Sequence, residues 1–365
     1  MASNMVSLFS LANWKNGLAF KQINFSEKGK PVIKIAELKN GITAQTARTQ
    51  QEFDSDVHLT KGDMVFSWSG NPETSIDVFW YDLPDGWLNQ HIFKVTPNNG
   101  VDKLYLYYLL KFLKPQFTAI ASNKQTTGLG HVTVKDMKEM MGPLPEMAVQ
   151  QAIGAYLHAI DQKAYVNNKI NDNLQQQAQA IYASMFIDNA DPAWVQGHLS
   201  DLITVKYGKD HKKLADGSYP VYGSGGIMRY VERPLYDKES VLIPRKGTLN
   251  NVMYVNQPFW SVDTMFYTEM RLPNVAKFVY HFVKAKDLAS MNAGSAVPSM
   301  TTDILNAMEV AIPSASALEE FEALVSPIYK AMQENDNQSK TLAKLRDALL
   351  PKLMSGEIDV SGIQL

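Results

Sequence analysis

Between residues 146 and 186 the apolar positions fall at Ile153, Leu157, Ile160 and Ala164, then at Leu174, Ala178, Ile181 and Met185. They alternate in steps of three and four, and Asn167 and Asn171 occupy the two places between. A repeat of about 3.5 residues predicts one long helix with a narrow seam for a partner helix. No proline interrupts the run, and at 1.5 Å per residue it would span roughly 60 Å. Residues 6–100 carry a different pattern. Short β-rich runs at 32–35, 64–68 and 76–80 alternate with Gly, Pro, Asn and Asp clusters, which predicts strands and turns. Helices are expected at 104–117 and 134–141, before Pro143 and Pro145.

Residues 191–313 repeat this recipe. Turn-rich strands lead to helices near 275–286 and 302–308, with a Gly/Ser/Pro stretch at 294–298 between them, and the region ends at Pro313. A single offset of 168, from Pro145 to Pro313, carries the first seam onto Phe321, Val325, Ile328, Met332, Leu342, Arg346, Leu349 and Leu353. All but Arg346 are apolar. The polar breaks recur too, Asn335 for Asn167 and Ser339 for Asn171. Upstream, the aromatic run 105–111 resembles 278–284, Trp87 to Phe93 aligns with Trp260 to Phe266, and Ser69-Gly70-Asn71 sits where Lys246-Gly247-Thr248 sits. The chain reads as a tandem duplication of a globular unit followed by a long helix.

Connectivity then dictates the pairing. The first helix leads from unit one to unit two, and the second, over 315–354, must return along it, so the two are antiparallel. The expected fold class is α+β: two α/β domains separated by two long antiparallel helices in a coiled coil, with pseudo-two-fold internal duplication. Asn167 and Asn171 should meet Asn335 and Ser339 in a polar layer that sets register. Pro327 inside the second helix predicts a kink, and Pro351 a bend or an end.

Composition adds limits. With 365 residues, 45% hydrophobic and 20% charged, the chain fits two or three soluble domains. It has no apolar run long enough to span a bilayer, and its first residues carry no basic-then-apolar leader, so a cytoplasmic protein without a membrane contact is expected. The absence of Cys excludes disulfides and thiolate metal sites. The net charge of −2 is unevenly placed: 1–145 and 191–313 are slightly basic, 146–190 and 314–365 acidic. Any contact with a polyanion belongs to the two globular segments.

Catalytic motifs are imitated but incomplete. Asp191-Pro192-Ala193-Trp194 lacks the second proline of an amino-methyltransferase loop, and no Gly-rich cofactor loop accompanies it. Glu37-Leu38-Lys39 has a nuclease spacing, but the only Pro-Asp pair, Pro84-Asp85, follows it instead of preceding it. Gly223-Ser224-Gly225-Gly226 lacks the Lys-Ser/Thr of a nucleotide loop, and the seven His show no metal-ligand spacing. The reading is of a chain with no catalytic residue and no bound metal or cofactor.

What remains are loops dense in groups that read base edges or hold phosphates. In unit one these are Lys34, Ser67, Ser69, Asn71, Asn89, Gln90, His91, Lys124, Thr126, Thr127 and His131. In unit two they are Tyr222, Ser224, Gly225, Arg245, Lys246, Thr248, Asn250, Asp263, Thr264, Asn292 and Ser295. Asn and Gln pair bidentately with adenine and Arg or Lys with guanine, while Gly lets backbone approach a phosphate. Each loop alone also reads as turn chemistry, and Asp263 as a turn cap. Their recurrence in both copies is what favours DNA. The competing reading is a scaffold in which a coiled coil pairs two protein-binding β-rich domains.

Seven stretches, in this order, carry a resemblance. They are 14–20 (Trp-Lys-Asn-Gly-Leu-Ala-Phe), 31–39 (Pro-Val-Ile-Lys-Ile-Ala-Glu-Leu-Lys), 62–70, 87–91, the Leu-Pro-Glu opening of the first helix at 144–150, 219–226, and 349–357 (Leu-Leu-Pro-Lys-Leu-Met-Ser-Gly-Glu). Over essentially its whole length the chain resembles the specificity subunit of type I restriction–modification systems. The resemblance implies target-recognition domains at 1–145 and 191–313 and conserved helical spacers at 146–190 and 314–365. It implies sequence-specific binding of a bipartite, asymmetric double-stranded DNA site. It also implies docking of two modification subunits, which methylate adenine with S-adenosylmethionine, and two restriction subunits, which use ATP and Mg2+. The opening of the second helix, Pro313-Ser-Ala-Ser-Ala-Leu-Glu-Glu320, departs from the family's Pro-Leu-x-Glu-Gln pattern.

Overall fold

A computed structural model describes residues 4–125, 128–291 and 298–360. The chain divides into two compact units, Met1–Asn167 with Asn337–Leu365, and Asn168–Asp336. The cuts fall in the polar breaks of the two long helices, so each unit holds a globular α/β body and one half of each helix.

In the first unit a four-stranded antiparallel sheet runs in the order Ala12–Asn16, Ile92–Pro97, Met64–Ser67, Asp77–Trp80. Met64-Val65-Phe66 is apolar throughout because the sheet is covered on both faces. Met64 and Phe66 enter the core under the helices, with Leu106, Leu109 and Phe117, while Val65 enters a second core with Ile33, Trp87 and Ile92. A parallel pairing of Lys30–Ile33 with Gly86–Leu88 sits on that second side, and Asn4–Ser7 pairs with Met141–Leu144.

The second unit repeats every one of these relations. Its sheet runs Ile203–Tyr207, Met265–Met270, Ser240–Pro244, Met253–Val255. Val241 and Ile243 face one core and Leu242 the other. Asp216–Gly223 pairs in parallel with Trp260–Ser261, and Val195–His198 pairs with Glu309–Ile312. The expected duplication is thus present strand by strand.

The first long helix spans Met147–Ala183 and closes in a π-helical turn, Ser184–Asp188, which carries it past the expected Phe186. The second spans Ala315–Met354 and continues through both Pro327 and Pro351. Ala323 and Pro327 both lie on its exposed side, where water can bond the carbonyl that proline leaves without a donor. Every seam position is buried or half-buried, including the polar ones. Within the first unit, Asn167 Nδ2 donates to Gln338 Oε1 at 2.8 Å and Ser339 Oγ at 3.3 Å. Within the second, Asn335 Nδ2 donates to Asn171 Oδ1 at 2.8 Å, and Asn171 Nδ2 donates to Asp336 Oδ1 at 2.8 Å. The helix halves pair antiparallel in each unit.

Two expected elements differ. Residues 32–35 are not a single strand, because the chain turns at Lys34 into the helix Ile35–Asn40, whose Glu37 carboxylate accepts the Lys34 N–H at 3.0 Å. The helix expected at 104–117 is two, Lys103–Phe112 and Lys114–Asn123, because Pro115 opens a new first turn. Among the described residues no helix is long and apolar enough to cross a membrane.

Candidate nucleic-acid interface

In the first unit the strand Met64–Ser67 runs out at Trp68, and the polar loops gather around that residue. The Trp68 N–H donates to the His91 carbonyl at 3.2 Å, and its own carbonyl accepts the Val132 N–H at 2.9 Å. The short pairing of Ser69–Gly70 with Gly130–His131 sets Ser69 opposite His131. His91 lies edge-on to the Trp68 ring at 5.5 Å, and Gln90 Nε2 is 3.2 Å from His91 Nε2. Trp68 Nε1 donates to Asn16 Oδ1 at 3.0 Å. Ser69, Gln90, His91 and His131 therefore share one surface with Trp68 and Asn16.

The other candidates of this unit have local work. Ser67 is fully buried, and its hydroxyl lies 3.5 Å from the Ser69 carbonyl. The Asn71 side chain caps the helix Pro72–Ser75, accepting from the Glu73 and Thr74 N–H groups at 3.1 Å. Asn89 is buried in the turn that closes on Ile92. Lys34 is exposed at its helix start, with its ammonium 5.6 Å over the Phe25 ring. Lys124 binds both carboxylate oxygens of Asp136, at 2.5 and 2.6 Å. Burial would raise the Asp136 pKa, but Lys124 and the Thr133 hydroxyl and N–H hold it below the usual carboxylate range. Thr126 and Thr127 lie outside the described residues.

In the second unit Arg245 follows the strand Ser240–Pro244 as Trp68 follows its own. The Arg245 N–H donates to the Thr264 carbonyl at 2.9 Å, and its carbonyl accepts the Met300 N–H at 2.9 Å. Lys246 is exposed, its N–H also donating to the Thr264 carbonyl at 3.1 Å. The guanidinium lies 5.4 Å over the Tyr207 ring, and its Nη1 donates to the Asp263 carbonyl at 3.1 Å. Asn251 Nδ2 donates to the Ser224 carbonyl at 2.8 Å, tying the turn of half-buried Ser224 and exposed Gly225 to the loop that carries Thr248. Arg245, Lys246, Asp263 and Thr264 thus come together, with Ser224, Gly225 and Thr248 alongside.

Asn250 is held apart, donating to Asp287 Oδ1 at 3.0 Å and accepting the Ala289 N–H at 2.9 Å. Tyr222 is buried, its hydroxyl accepting from Gln257 Nε2 at 3.2 Å, and burial pushes its phenol upward. Asn292 and Ser295 lie outside the described residues.

Loop composition singles out neither Asn16 nor Tyr207, and Trp68 is not among the candidates it gives. A signal for the first two exists: each precedes a glycine in Lys15-Asn16-Gly17 and Lys206-Tyr207-Gly208. Those glycines have a physical reason. A Cβ on Gly17 would sit 2.2 Å from the Asn89 carbonyl oxygen, and one on Gly208 would sit 2.0 Å from that of Val262. Beyond Gly208 the loop exposes Lys209, Lys212 and Lys213, a cationic run beside Tyr207 in the chain. Among the described residues no group of three or more His, Asp or Glu could hold a metal ion.

The chain matches the family model described as "Type I restriction modification DNA specificity domain" over residues 3–176 and again over 193–345. It is 22% identical over 315 residues to the type I restriction enzyme MjaIX specificity subunit of Methanocaldococcus jannaschii, covering 74% of this chain and 73% of that one. It is 26% identical over 220 residues to the EcoBI specificity subunit of Escherichia coli, covering 57% of this chain and 43% of that one. The crystal structure of the S subunit of a type I restriction–modification system from M. genitalium superposes with a TM-score of 0.58 at 19% identity, covering 97% of this chain and 96% of that one.

Proposed function

The chain belongs to the type I restriction–modification DNA specificity family, and from that premise we propose that each of its two α/β units reads one half of a bipartite, asymmetric duplex target. A specificity subunit is the DNA-recognising, non-catalytic member of its system. The target-recognition domains are 1–145 and 191–313, and the helical segments 146–190 and 314–365 serve as spacer and as docking faces. Two modification subunits bring S-adenosylmethionine and methylate adenine, and two restriction subunits bring ATP and Mg2+ chemistry, in the cytoplasm. This chain supplies the address.

One observation carries the reading. Two copies of one backbone frame end in different side chains at the same places: Trp68, Ser69, His91 and His131 in the first, Arg245, Lys246, Thr264 and Ser299 in the second. A duplicated frame with divergent tips suits two different half-sites. Base edges in the major groove are told apart by such tips, while Lys and Arg contacts to phosphate set register. Motif calling on DNA methylated by the complex reconstituted with its modification subunits tests this. Two short half-sites around an unread spacer are expected, and a single contiguous motif would contradict it.

A further inference from the structure

Trp68 and Arg245 occupy the same socket. In both, the N–H bonds the carbonyl of the turn beside the next strand (His91, Thr264), and the carbonyl is bonded by the returning loop (Val132, Met300). In both, the side chain reaches the last residue of the strand beyond, which is Asn16 opposite Phe93 in one unit and Tyr207 opposite Phe266 in the other. The chemistry is inverted across the copies. The first unit sets an aromatic ring against an amide, and the second sets a guanidinium against an aromatic ring.

The inversion has a consequence for readout. The indole of Trp68 has a single donor, and Asn16 takes it, so the ring offers an apolar plane tilted on Phe93 at 5.9 Å. Arg245 has five donors, of which the Asp263 carbonyl takes one. The Tyr207 ring beneath the guanidinium and the bond to the Asp263 carbonyl hold the fork in place before any ligand arrives, which lowers the ordering cost on binding. An oriented guanidinium fork matches the O6 and N7 acceptors of guanine in the major groove.

We propose that this socket holds the residue that decides one base pair in each half-site: Arg245 reads a guanine in the second half-site, and Trp68 reads its counterpart in the first by apolar contact, such as with a thymine methyl. The proposal rests on the reading that the two units bind the two half-sites, and goes beyond it in naming the position and the base.

The test is motif calling and single-site methylation rates for the reconstituted complex, with wild type and Arg245→Gln compared across a salt series. The expected result is that one guanine of the second half-site loses its preference by roughly ten- to a hundredfold, with adenine gaining because Gln pairs with it. Methylation specificity in the first half-site stays as it was, which shows in the same sample that the variant is folded. A uniform loss over all sequences, with a shallower salt dependence, would make Arg245 a phosphate contact and overturn the proposal while leaving the half-site reading intact. A wild-type second half-site without guanine would overturn it equally. A contiguous wild-type motif would remove the half-site reading itself.

Discussion

The two units differ where the helix behind the sheet meets the long helices. In the first unit Tyr108 Oη donates to Asp161 Oδ2 at 2.8 Å, and Arg346 Nη1 donates to Asp161 Oδ1 at 2.8 Å. The offsets of 173 and 168 carry Tyr108 onto His281 and Asp161 onto Tyr329, and these two also touch: His281 Nε2 lies 2.9 Å from Tyr329 Oη, with its Nδ1 2.8 Å from Gln179 Oε1. One junction is ionic, built on the half-buried Asp161 and Arg346; the other is uncharged and built on the fully buried His281. The position of Leu104 in the first unit is taken by Lys277 in the second, which is buried against Glu239 at 3.1 Å and Glu322 at 2.6 Å. The frame of backbone pairings is thus shared while the polar joints are not. Packing geometry tolerates several chemistries, provided each buried donor or acceptor finds a partner.

The largest way to break the comparison is Lys277→Ala. It leaves two partly buried carboxylates facing each other beside Tyr254, at a cost of about 3 kcal/mol in unfolding free energy. Denaturant unfolding with hydrogen exchange resolved along the chain should place the loss in residues 168–336, with the first unit unmoved. Equal loosening of both units would contradict the independence of the two joints.

Acid sharpens the same contrast. Burial, aided by the nearby Lys284 charge, lowers the His281 pKa from 6.5 to about 4. The unfolded chain therefore binds more protons than the folded one between those values. The contribution of His281 is fully present above pH 6.5 and is lost as pH falls to about 4, at most about 3 kcal/mol. In the first unit, Asp77 is held below the usual carboxylate range by Lys111 and Lys114 even though burial opposes it, so its contribution is lost only at lower pH. Unfolding measured from pH 7.5 to 4.5 should weaken the second unit first, and His281→Gln should flatten that dependence. A first unit that loosens earlier would reverse the assignment.

Much of this was legible in the chain. The seam, its polar breaks and the offset between copies were readable because a helix writes its buried face at fixed spacing. The β-rich run at 64–68 marked a strand, while its cover on both faces shows only in the two cores that Met64, Val65 and Phe66 enter. The start of a helix at Ile35 was not legible, since Val32-Ile33-Lys34-Ile35 has strand composition and only the Glu37 carboxylate, folding back on Lys34, decides the turn. Of the candidate surface, half was legible. Polar loop residues look alike in sequence, yet Ser67 is enclosed, Asn71 caps a helix and Asn250 braces a turn, whereas Gln90 and His91 stay at the surface. The partnership of Trp68 with Asn16 depends on the register of Phe93 against Asn16 in the sheet, which no local pattern records.

The central claim is that each copy addresses its own half of the target, and it is tested most directly by altering the tip of one copy alone. Replacing Gln90 and His91 together by Ala, in the complex reconstituted with its modification subunits, should change the bases called in one half-site and leave the other half-site and the spacer length as they were. The expected loss is on the order of tenfold in discrimination at the affected positions. A change in both half-sites, or an equal weakening on every sequence, would contradict the account.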